Sequence, residues 1–187
     1  RKFEWPRIEN HTIQSPARAE WWAHAERREG IALDQAKQFL QERKDDIAAF
    51  IMEPIQGEGG DNHFRPEFFR AIRQLCDEND MLLIFDEVQS GVGITGKMWS
   101  FQHFGIEPDL FCFGKKTQVC GFASNDRIME LAENVFTVSS RINSTWGGNH
   151  ADMVRAQRFF EIIDEENLVD NAARVGAYFV GELQRFS

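Results

Sequence analysis

The sequence has little cysteine and lacks the patterns that a disulfide framework or a metal site requires. It contains three cysteines, an odd number, and no two of them form a Cys-x-x-Cys pair. The five histidines are scattered along the chain, whereas a zinc site needs several Cys or His ligands at short spacing. These absences argue against a disulfide-rich secreted domain and against a bound metal, so reduced thiols in the cytoplasm are the expectation.

Long apolar runs and basic clusters are also absent. No uninterrupted apolar stretch approaches the roughly 18 residues of a membrane-spanning helix. The formal net charge is −9, whereas binding to nucleic acid requires a basic face. Neither a membrane nor a nucleic acid is therefore an expected partner.

The chain does contain enough apolar material for a folded core. Its 187 residues are 42% hydrophobic and 12% aromatic, and 17 of them are phenylalanine. One domain is the default expectation at this length. Because the sequence lacks an initiator methionine and stops inside a helical pattern, we expect it to be an internal piece of a longer protein.

Continuous apolar runs alternate with helical patterns along the chain. The apolar runs predict strands over 47–52, 81–85 and 110–113. Helical patterns cover 17–29, 33–44, 66–78, 127–133 and a long stretch from 150 onward with a break near Asn167. Ser15 and Pro16 predict the start of the first helix, and Gly30 predicts its end. This alternation indicates an α/β fold in which helices cover a mostly parallel sheet, here with incomplete edges.

Two predicted strands end beside residues of opposite charge. Asp86 follows the apolar run 82–85, and Lys115 follows the run 110–113 after Gly114. Ligands bind at the carboxyl ends of the strands in an open parallel sheet, so we expect both side chains to face one crevice. An amine nucleophile beside a fixed carboxylate is what chemistry on pyridoxal phosphate needs.

Each of these residues also has a simpler interpretation. An acid at a strand end often only caps the next loop, and a lone lysine is most often a solvated surface residue. Lys116 competes with Lys115 for the same role, and because side chains alternate along an extended chain, we expect only one to reach a cofactor. The loops 57–60 and 144–149 are either ordinary turns or parts of the crevice, the second as a phosphate site.

Five segments together resemble the class III (omega) aminotransferases, in the order and spacing of that family. They are IMEPIQGEGG at 51–60, FDEVQSGVG at 85–93, TGKMW at 95–99, GIEPD at 105–109 and STWGGN at 144–149. The resemblance covers nearly the whole chain and implies the type I fold of pyridoxal-phosphate-dependent transferases. Residues 1–149 would belong to the large cofactor-binding domain, and 150–187 would form a long helical segment leading towards a small C-terminal domain.

The resemblance implies a role for each matching residue of the cofactor site. Lys115 would bind pyridoxal 5′-phosphate covalently through its amine, and Asp86 would pair with the pyridine nitrogen. Gln89 would hydrogen-bond the ring hydroxyl oxygen, and Val88 would pack on the ring face. Thr145 would reach the cofactor phosphate of the neighbouring subunit in a homodimer.

Substrate residues are implied in the same way. Glu58 matches a glutamate that pairs, in related enzymes, with an arginine from the C-terminal region, and Glu53 is a candidate for a supporting role. The segments 114–121 and 139–146 are similar to the subgroup that transfers the ε-amino group of L-lysine to 2-oxoglutarate, giving 2-aminoadipate 6-semialdehyde and glutamate. Enzymes that act on ornithine, acetylornithine or 4-aminobutyrate are the alternative. The phosphate loop, the ring-stacking aromatic residue and the substrate arginine would lie outside this chain, so the chain alone is expected to be inactive.

Overall fold

The computed structural model describes residues 5–8, 19–43, 46–58, 60, 62–142 and 144–186, without the side chains of 19–22. The helices are α1 Ala19–Glu42, α2 Pro66–Glu78, α3 Asp126–Met129, α4 His150–Glu165 and α5 Leu168–Gln184. The strands are β1 Ala49–Met52, β2 Leu82–Asp86, β3 Leu110–Phe113 and β4 Gly121–Ser124, and a short 3-10 helix spans Ser100–His103. Among the described residues, no helix is both long and apolar enough to cross a lipid bilayer.

The strands form one mixed sheet in the order β1-β2-β3-β4. β1 pairs parallel with β2, and β2 pairs parallel with β3. β4 pairs antiparallel with β3, with Phe113 opposite Gly121. The prediction of an α/β fold with a mostly parallel sheet is confirmed. The sequence does not predict β4, because its Gly-Phe-Ala-Ser segment contains a single large apolar side chain and no strand pattern of its own.

The core lies between one face of the sheet and the helices α1 and α2. The buried stripe of α2 packs against Leu83 and Phe85, which are fully buried in β2. The Phe69 ring meets the Phe85 ring edge-on with centroids 5.7 Å apart, and it stacks on the Phe104 ring at 4.2 Å. The same cluster includes three residues of α1, namely Ala32, Ala36 and Leu40. Burial of these side chains fixes β2 and, with it, the position of the residue at its end.

The opposite face of the sheet is less covered within the described residues. Side chains alternate along each strand, so the cross-strand partners Ile51 and Ile84 lie on this second face. Asp86 lies on the same face, opposite Cys112. Ile51 remains 58% exposed. The carboxylate at the end of β2 therefore lies on the less buried side of the sheet.

A single helix replaces the two helices predicted over 17–29 and 33–44. Gly30 lies within α1 rather than at its end, although a glycine inside a helix costs about 1 kcal/mol. The reason is a buried stripe that continues on both sides of this glycine and comprises Ala25, Glu29, Ala32, Ala36 and Leu40. Packing of that stripe outweighs the local penalty. The predicted helix start at Ser15 and Pro16 and the predicted end at residue 44 lie outside the described residues.

The remaining boundaries differ by small amounts. β1 begins at Ala49 instead of residue 47, and β2 spans Leu82–Asp86 instead of 81–85. α3 ends at Met129 rather than at residue 133, and Asn134 stabilises the turns that follow by accepting two backbone N–H groups. The predicted break at Asn167 is confirmed, since this residue has a left-handed φ of 50° between α4 and α5.

Candidate active site

Three loops follow the parallel strands at one edge of the sheet. The loop 53–58 follows β1, the turn 86–90 includes the end of β2, and the turn 114–119 follows β3. The register of the parallel strands places these ends side by side. All of the site residues predicted from the sequence except Thr145 lie on these loops, namely Glu53, Glu58, Asp86, Val88, Gln89 and Lys115.

Asp86 is the last residue of β2, and the following turn orients its carboxylate. The side chain is half-buried, and Oδ1 accepts a hydrogen bond from the Val88 N–H at 3.0 Å. Burial raises the pKa of the neighbouring Cys112 thiol, and the Asp86 carboxylate raises that pKa further. The position therefore presents a fixed negative charge at the end of an apolar strand, where a cationic group would be stabilised.

Glu87 is fully buried, and sequence analysis does not single it out. Its Oε1 accepts hydrogen bonds from Ser100 Oγ at 2.7 Å and from the Phe101 N–H at 2.8 Å. Its Oε2 accepts hydrogen bonds from Ser90 Oγ at 3.0 Å and from the Ser100 N–H at 3.1 Å. The charge-assisted bonds from Ser100 and Phe101 join the turn 86–90 to the 3-10 helix, and the bond from Ser90 lies within the turn. The only signal in the sequence is an acid near a serine, which is common in loops.

Gln89 and Glu58 are in contact between two loops. Gln89 Nε2 donates a hydrogen bond to Glu58 Oε1 at 3.3 Å. Glu53 shapes the same loop, because its Oε2 accepts the backbone N–H of Gly57 at 3.3 Å. A Cβ at Gly57 would lie 3.4 Å from Gln89 Cγ, so the loops after β1 and β2 pack closely at this point. Glu58 itself is exposed.

The two lysines after β3 have different surroundings. Lys115 is exposed and Lys116 is half-buried, and the Nζ of Lys116 donates a hydrogen bond to the carbonyl oxygen of Gln89 at 2.6 Å. Burial lowers the pKa of Lys116, the Lys115 cation lowers that pKa further, and the Glu87 carboxylate opposes both effects. The turn that carries both lysines therefore contacts the turn that includes Asp86.

The turn 114–119 is also fixed by contacts of its own. Thr117 is fully buried, and its Oγ1 lies 2.8 Å from the carbonyl oxygens of Gly114 and Val119. A Cβ at Gly114 would lie 2.9 Å from Cys120 Sγ, so any side chain there would displace that sulfur. The backbone next to Lys115 therefore has a defined geometry.

Thr145 differs from the other predicted residues in its contacts. It is exposed in the turn before α4, where Asn149 caps the helix by accepting the N–H groups of Ala151 and Asp152. Among the residues that the structure describes, no hydrogen bond joins Thr145 to the loops after β1, β2 and β3.

The helices α4 and α5 pack against the loops of the sheet. Arg155 Nη2 of α4 donates a hydrogen bond to the carbonyl oxygen of Gln118 at 3.3 Å. Gly96 has a φ of +83°, and a Cβ there would lie 2.9 Å from Ala173 of α5. Both helices of the segment 150–187 therefore contact loops that belong to the rest of the chain.

A mostly apolar cavity lies near the loop 53–58, with Gln56 of that loop in its lining. It has a volume of about 740 Å³ and lies beside α1 and β1, with Ala36, Leu40, Phe50 and Phe68 in its lining. Its lining includes neither the carboxylate of β2 nor the lysines after β3. The cavity is thus a gap beside the apolar core, and the polar groups of the candidate site lie elsewhere.

The side chains at the strand ends form a set that fits pyridoxal phosphate. Asp86 supplies a fixed carboxylate, Gln89 an amide donor and Lys115 an exposed amine. A carboxylate can pair with the ring nitrogen of this cofactor, and a lysine amine can bond its aldehyde carbon. An amide N–H can donate to its ring hydroxyl oxygen. Within the described ranges, no cluster of His, Cys, Asp and Glu could hold a metal ion.

Comparison with known proteins finds similarity over the whole chain. Residues 4–187 match the family described as aminotransferase class-III. L-lysine-epsilon aminotransferase from Mycobacterium tuberculosis (strain ATCC 25618 / H37Rv) is 51% identical over 190 residues, covering 100% of this chain and 41% of the relative. The protein of the same name from Streptomyces clavuligerus is 53% identical over 180 residues, covering 95% of this chain and 39% of the relative.

A solved structure is similar to the same extent. Lysine aminotransferase from M. tuberculosis in the internal aldimine form gives a TM-score of 0.89 at 51% sequence identity, covering 100% of this chain and 42% of that chain. The chain thus spans about 41% of the length of the curated relatives that it matches.

Proposed function

The chain belongs to the class III aminotransferase family, and from this premise we propose that the whole protein transfers the ε-amino group of L-lysine to 2-oxoglutarate with pyridoxal 5′-phosphate as cofactor. The products would be 2-aminoadipate 6-semialdehyde and glutamate. The observation that carries the chemistry is the placement of Asp86, Gln89 and the two lysines on adjoining turns, joined by the 2.6 Å bond from Lys116 to Gln89. L-Lysine is the proposed donor because the relatives at 51% and 53% identity carry it in their names.

The side chains at the end of β2 would bind the cofactor ring. The cofactor, when bound, supplies an electron-withdrawing ring that stabilises negative charge on the carbon being deprotonated. Asp86 would pair with the ring nitrogen, because a half-buried carboxylate favours the protonated form of that nitrogen. Gln89 would donate to the ring hydroxyl oxygen, and Val88 would pack on the ring face.

Lys115 would bind the cofactor and then move protons. Its amine is exposed near the start of the turn 114–119. An amine in that place can take a proton from the substrate carbon at Nζ and return it to a neighbouring carbon, as general base and then as general acid. The buried Thr117 fixes the backbone of the same turn, which limits where Nζ can lie.

The remaining predicted residues would act on the substrate and on a second subunit. Glu58 would pair with an arginine outside this chain, and release of that pair would let one pocket accept first a terminal amine and then the α-carboxylate of 2-oxoglutarate. Glu53 would support this loop, as its bond to Gly57 indicates. Thr145 would bind the cofactor phosphate of the neighbouring subunit in a homodimer. In this arrangement residues 1–149 are part of the large domain, and 150–187 lead to a small C-terminal domain.

Activity of the full-length protein with a panel of amino donors tests this function. The purified protein is incubated with 2-oxoglutarate and one of L-lysine, ornithine, acetylornithine or 4-aminobutyrate, and the glutamate formed is measured. We expect L-lysine to give the highest kcat/KM. A higher kcat/KM with another donor would agree with the family assignment but would overturn L-lysine as the proposed substrate. Lys115→Ala is expected to abolish both the activity and the visible absorbance of the lysine-bound cofactor.

A further inference from the structure

We propose that Lys116 is a positioning residue of the active site, because its amine joins the turn that carries Lys115 to the turn that includes Asp86 and Gln89. Its role depends on the function proposed above, since it concerns the same cofactor site. Lys116 would not touch the cofactor. It would instead fix the relative position of the groups that do.

The geometry of the contact is specific. Lys116 Nζ donates a hydrogen bond to the carbonyl oxygen of Gln89 at 2.6 Å, and hydrogen bonds with an ionised donor are shorter and stronger than neutral ones. The side chain of the same Gln89 donates to Glu58 at 3.3 Å. Lys116 therefore bonds the backbone of Gln89, whose side chain is predicted to bind the cofactor. This bond does not involve the Gln89 side-chain amide.

Each of the two turns is fixed separately to its own surroundings. Glu87 bonds the first turn to the 3-10 helix, and Thr117 bonds the second turn internally. The strand ladder ends where the Glu87 N–H donates to the Cys112 carbonyl oxygen at 2.9 Å. Beyond that point, and among the described residues, the bond from Lys116 to Gln89 is the hydrogen bond that joins the two turns.

The charges around Lys116 agree with this placement. Its amine is close enough to Lys115 and to Glu87 for both to affect its pKa, the first lowering and the second raising it, with burial as the largest lowering effect. The Lys116 amine is thus influenced by the exposed lysine on its own turn and by the buried carboxylate on the other turn. Because its hydrogen bond joins the two turns, Lys116 would hold the groups on one turn in place relative to those on the other.

Replacement of Lys116 in the full-length protein tests its role. Lys116→Met keeps an unbranched apolar stem and removes the donor, and Lys116→Arg restores a cationic donor. Lys37→Met, on the exposed side of α1, is the matched control for loss of a lysine charge. Three quantities are measured for each variant: the half-saturation concentration of pyridoxal phosphate on the apoprotein, kcat and KM with L-lysine, and the melting temperature of the apoprotein.

We expect Lys116→Met to raise the half-saturation concentration for pyridoxal phosphate by about tenfold or more, the size expected for loss of a bond to a charged group. We also expect kcat to fall more than KM changes, because misplaced groups slow the chemical step. Lys116→Arg should recover part of both losses, and Lys37→Met should behave as the wild type. If Lys116→Met does not yield folded protein, Lys116→Gln replaces it. The glutamine amide retains a neutral donor, so the same changes in cofactor affinity and kcat are expected, but they should be smaller.

Two results would overturn the role of Lys116. One is wild-type cofactor affinity and kcat in Lys116→Met, and the other is a lowered melting temperature of its apoprotein with unchanged cofactor affinity. Failure of the proposed function would look different, since the wild-type protein would then lack the visible absorbance of a lysine-bound cofactor or would retain it in Lys115→Ala. The wild-type spectrum therefore separates the two failures.

Discussion

At the scale of single residues, two adjacent carboxylates have different surroundings. Asp86 is half-buried, and its Oδ1 accepts one backbone N–H from Val88. Glu87 is fully buried, and its two oxygens accept hydrogen bonds from two serine hydroxyls and two backbone amides. The first carboxylate can act on a ligand, whereas the second serves the fold. The same amide substitution should therefore affect activity at one position and stability at the other.

We expect Asp86→Asn to lower kcat of the full-length protein on the order of 10²-fold, the size found when one electrostatic stabiliser of a reacting centre is removed. Asparagine keeps the size of the side chain and the oxygen that accepts the Val88 N–H, but it removes the negative charge that would face the ring nitrogen. Steady-state kinetics at saturating L-lysine measure the effect. The melting temperature of the apoprotein serves as control and should match the wild type. A kcat close to that of the wild type would contradict the role of Asp86.

Glu87→Gln should instead destabilise the fold, by about 3 kcal/mol. The NH2 group of the new amide would take the place of one carboxylate oxygen and would face either the Ser100 N–H or the Phe101 N–H, which bond different oxygens of Glu87. Denaturant unfolding of the full-length protein measures the free energy of unfolding. The matched control is Glu67→Gln, whose exposed pair with Arg70 should contribute less than about 1 kcal/mol. Equal effects of the two substitutions would show that the buried bonds of Glu87 are not stabilising.

The sequence predicts the candidate site only in part. It predicts residues that a local pattern places, but it does not predict contacts between residues that are far apart in the chain. Asp86 and Lys115 each follow an apolar run, so local pattern is enough to place them at strand ends. The contacts of Glu87 with Ser100 and of Lys116 with Gln89 join positions that folding alone brings together. No periodicity or motif in a single sequence specifies such pairs.

At the scale of secondary-structure elements, Asp109 connects two helices and two strands. It is 3% exposed and immediately precedes β3. Its Oδ2 accepts a hydrogen bond from the Leu83 N–H of β2 at 2.7 Å and another from Arg73 Nη1 of α2 at 2.9 Å. Its Oδ1 accepts Nδ2 of Asn125, the cap of α3, at 3.3 Å. Burial by itself would raise the pKa of Asp109, but the Leu83 N–H and the Arg73 guanidinium outweigh burial and lower that pKa.

Acid should therefore weaken this junction. Because the pKa of Asp109 is lower in the folded state, its stabilising effect is complete above the unfolded pKa of about 3.9 and is lost as the pH falls through the lower folded value. We expect Asp109→Asn to destabilise the full-length protein by about 3 kcal/mol at neutral pH. The difference from the wild type should shrink below about pH 4.

Urea unfolding of the wild type and of Asp109→Asn at a series of pH values measures this difference. Asp77→Asn is the control, because Asp77 also contacts Arg73 but is 59% exposed in its side chain, so its effect should be small. The difference in free energy of unfolding between the wild type and Asp109→Asn could instead stay constant from neutral pH into acid. That result would contradict the conclusion that the ionised carboxylate is the stabilising form.

The elements themselves are predicted where local signals agree with tertiary packing. The strand β3 occurs as predicted over 110–113, and the helix break occurs at Asn167. The prediction is wrong at Gly30, where burial of one helix face outweighs a penalty of about 1 kcal/mol. It omits β4, because that strand depends on hydrogen bonds to β3 rather than on its own residues.

At the scale of the whole molecule, α5 presents an unusually large apolar surface. None of its residues with a described side chain is buried, and Tyr178 is 69%, Phe179 61% and Leu183 53% exposed. Contiguous apolar surface of this kind is normally covered by another segment or subunit. Since the chain spans about 41% of the length of its curated relatives, we expect other parts of the whole protein to cover α5.

We therefore expect the 187-residue chain, expressed alone, to self-associate through α5. We also expect it to show no transamination, because it spans only about 41% of the length of its curated relatives. Size-exclusion chromatography with light scattering, over a range of concentrations, measures the association. Phe179→Lys should reduce association of the isolated chain, since this side chain is exposed there. The same substitution should destabilise the full-length protein, because a covered apolar contact would then contain a charge. The expectation is wrong if the isolated chain is monomeric and Phe179→Lys leaves the stability of the full-length protein unchanged. α5 would then face solvent in both proteins.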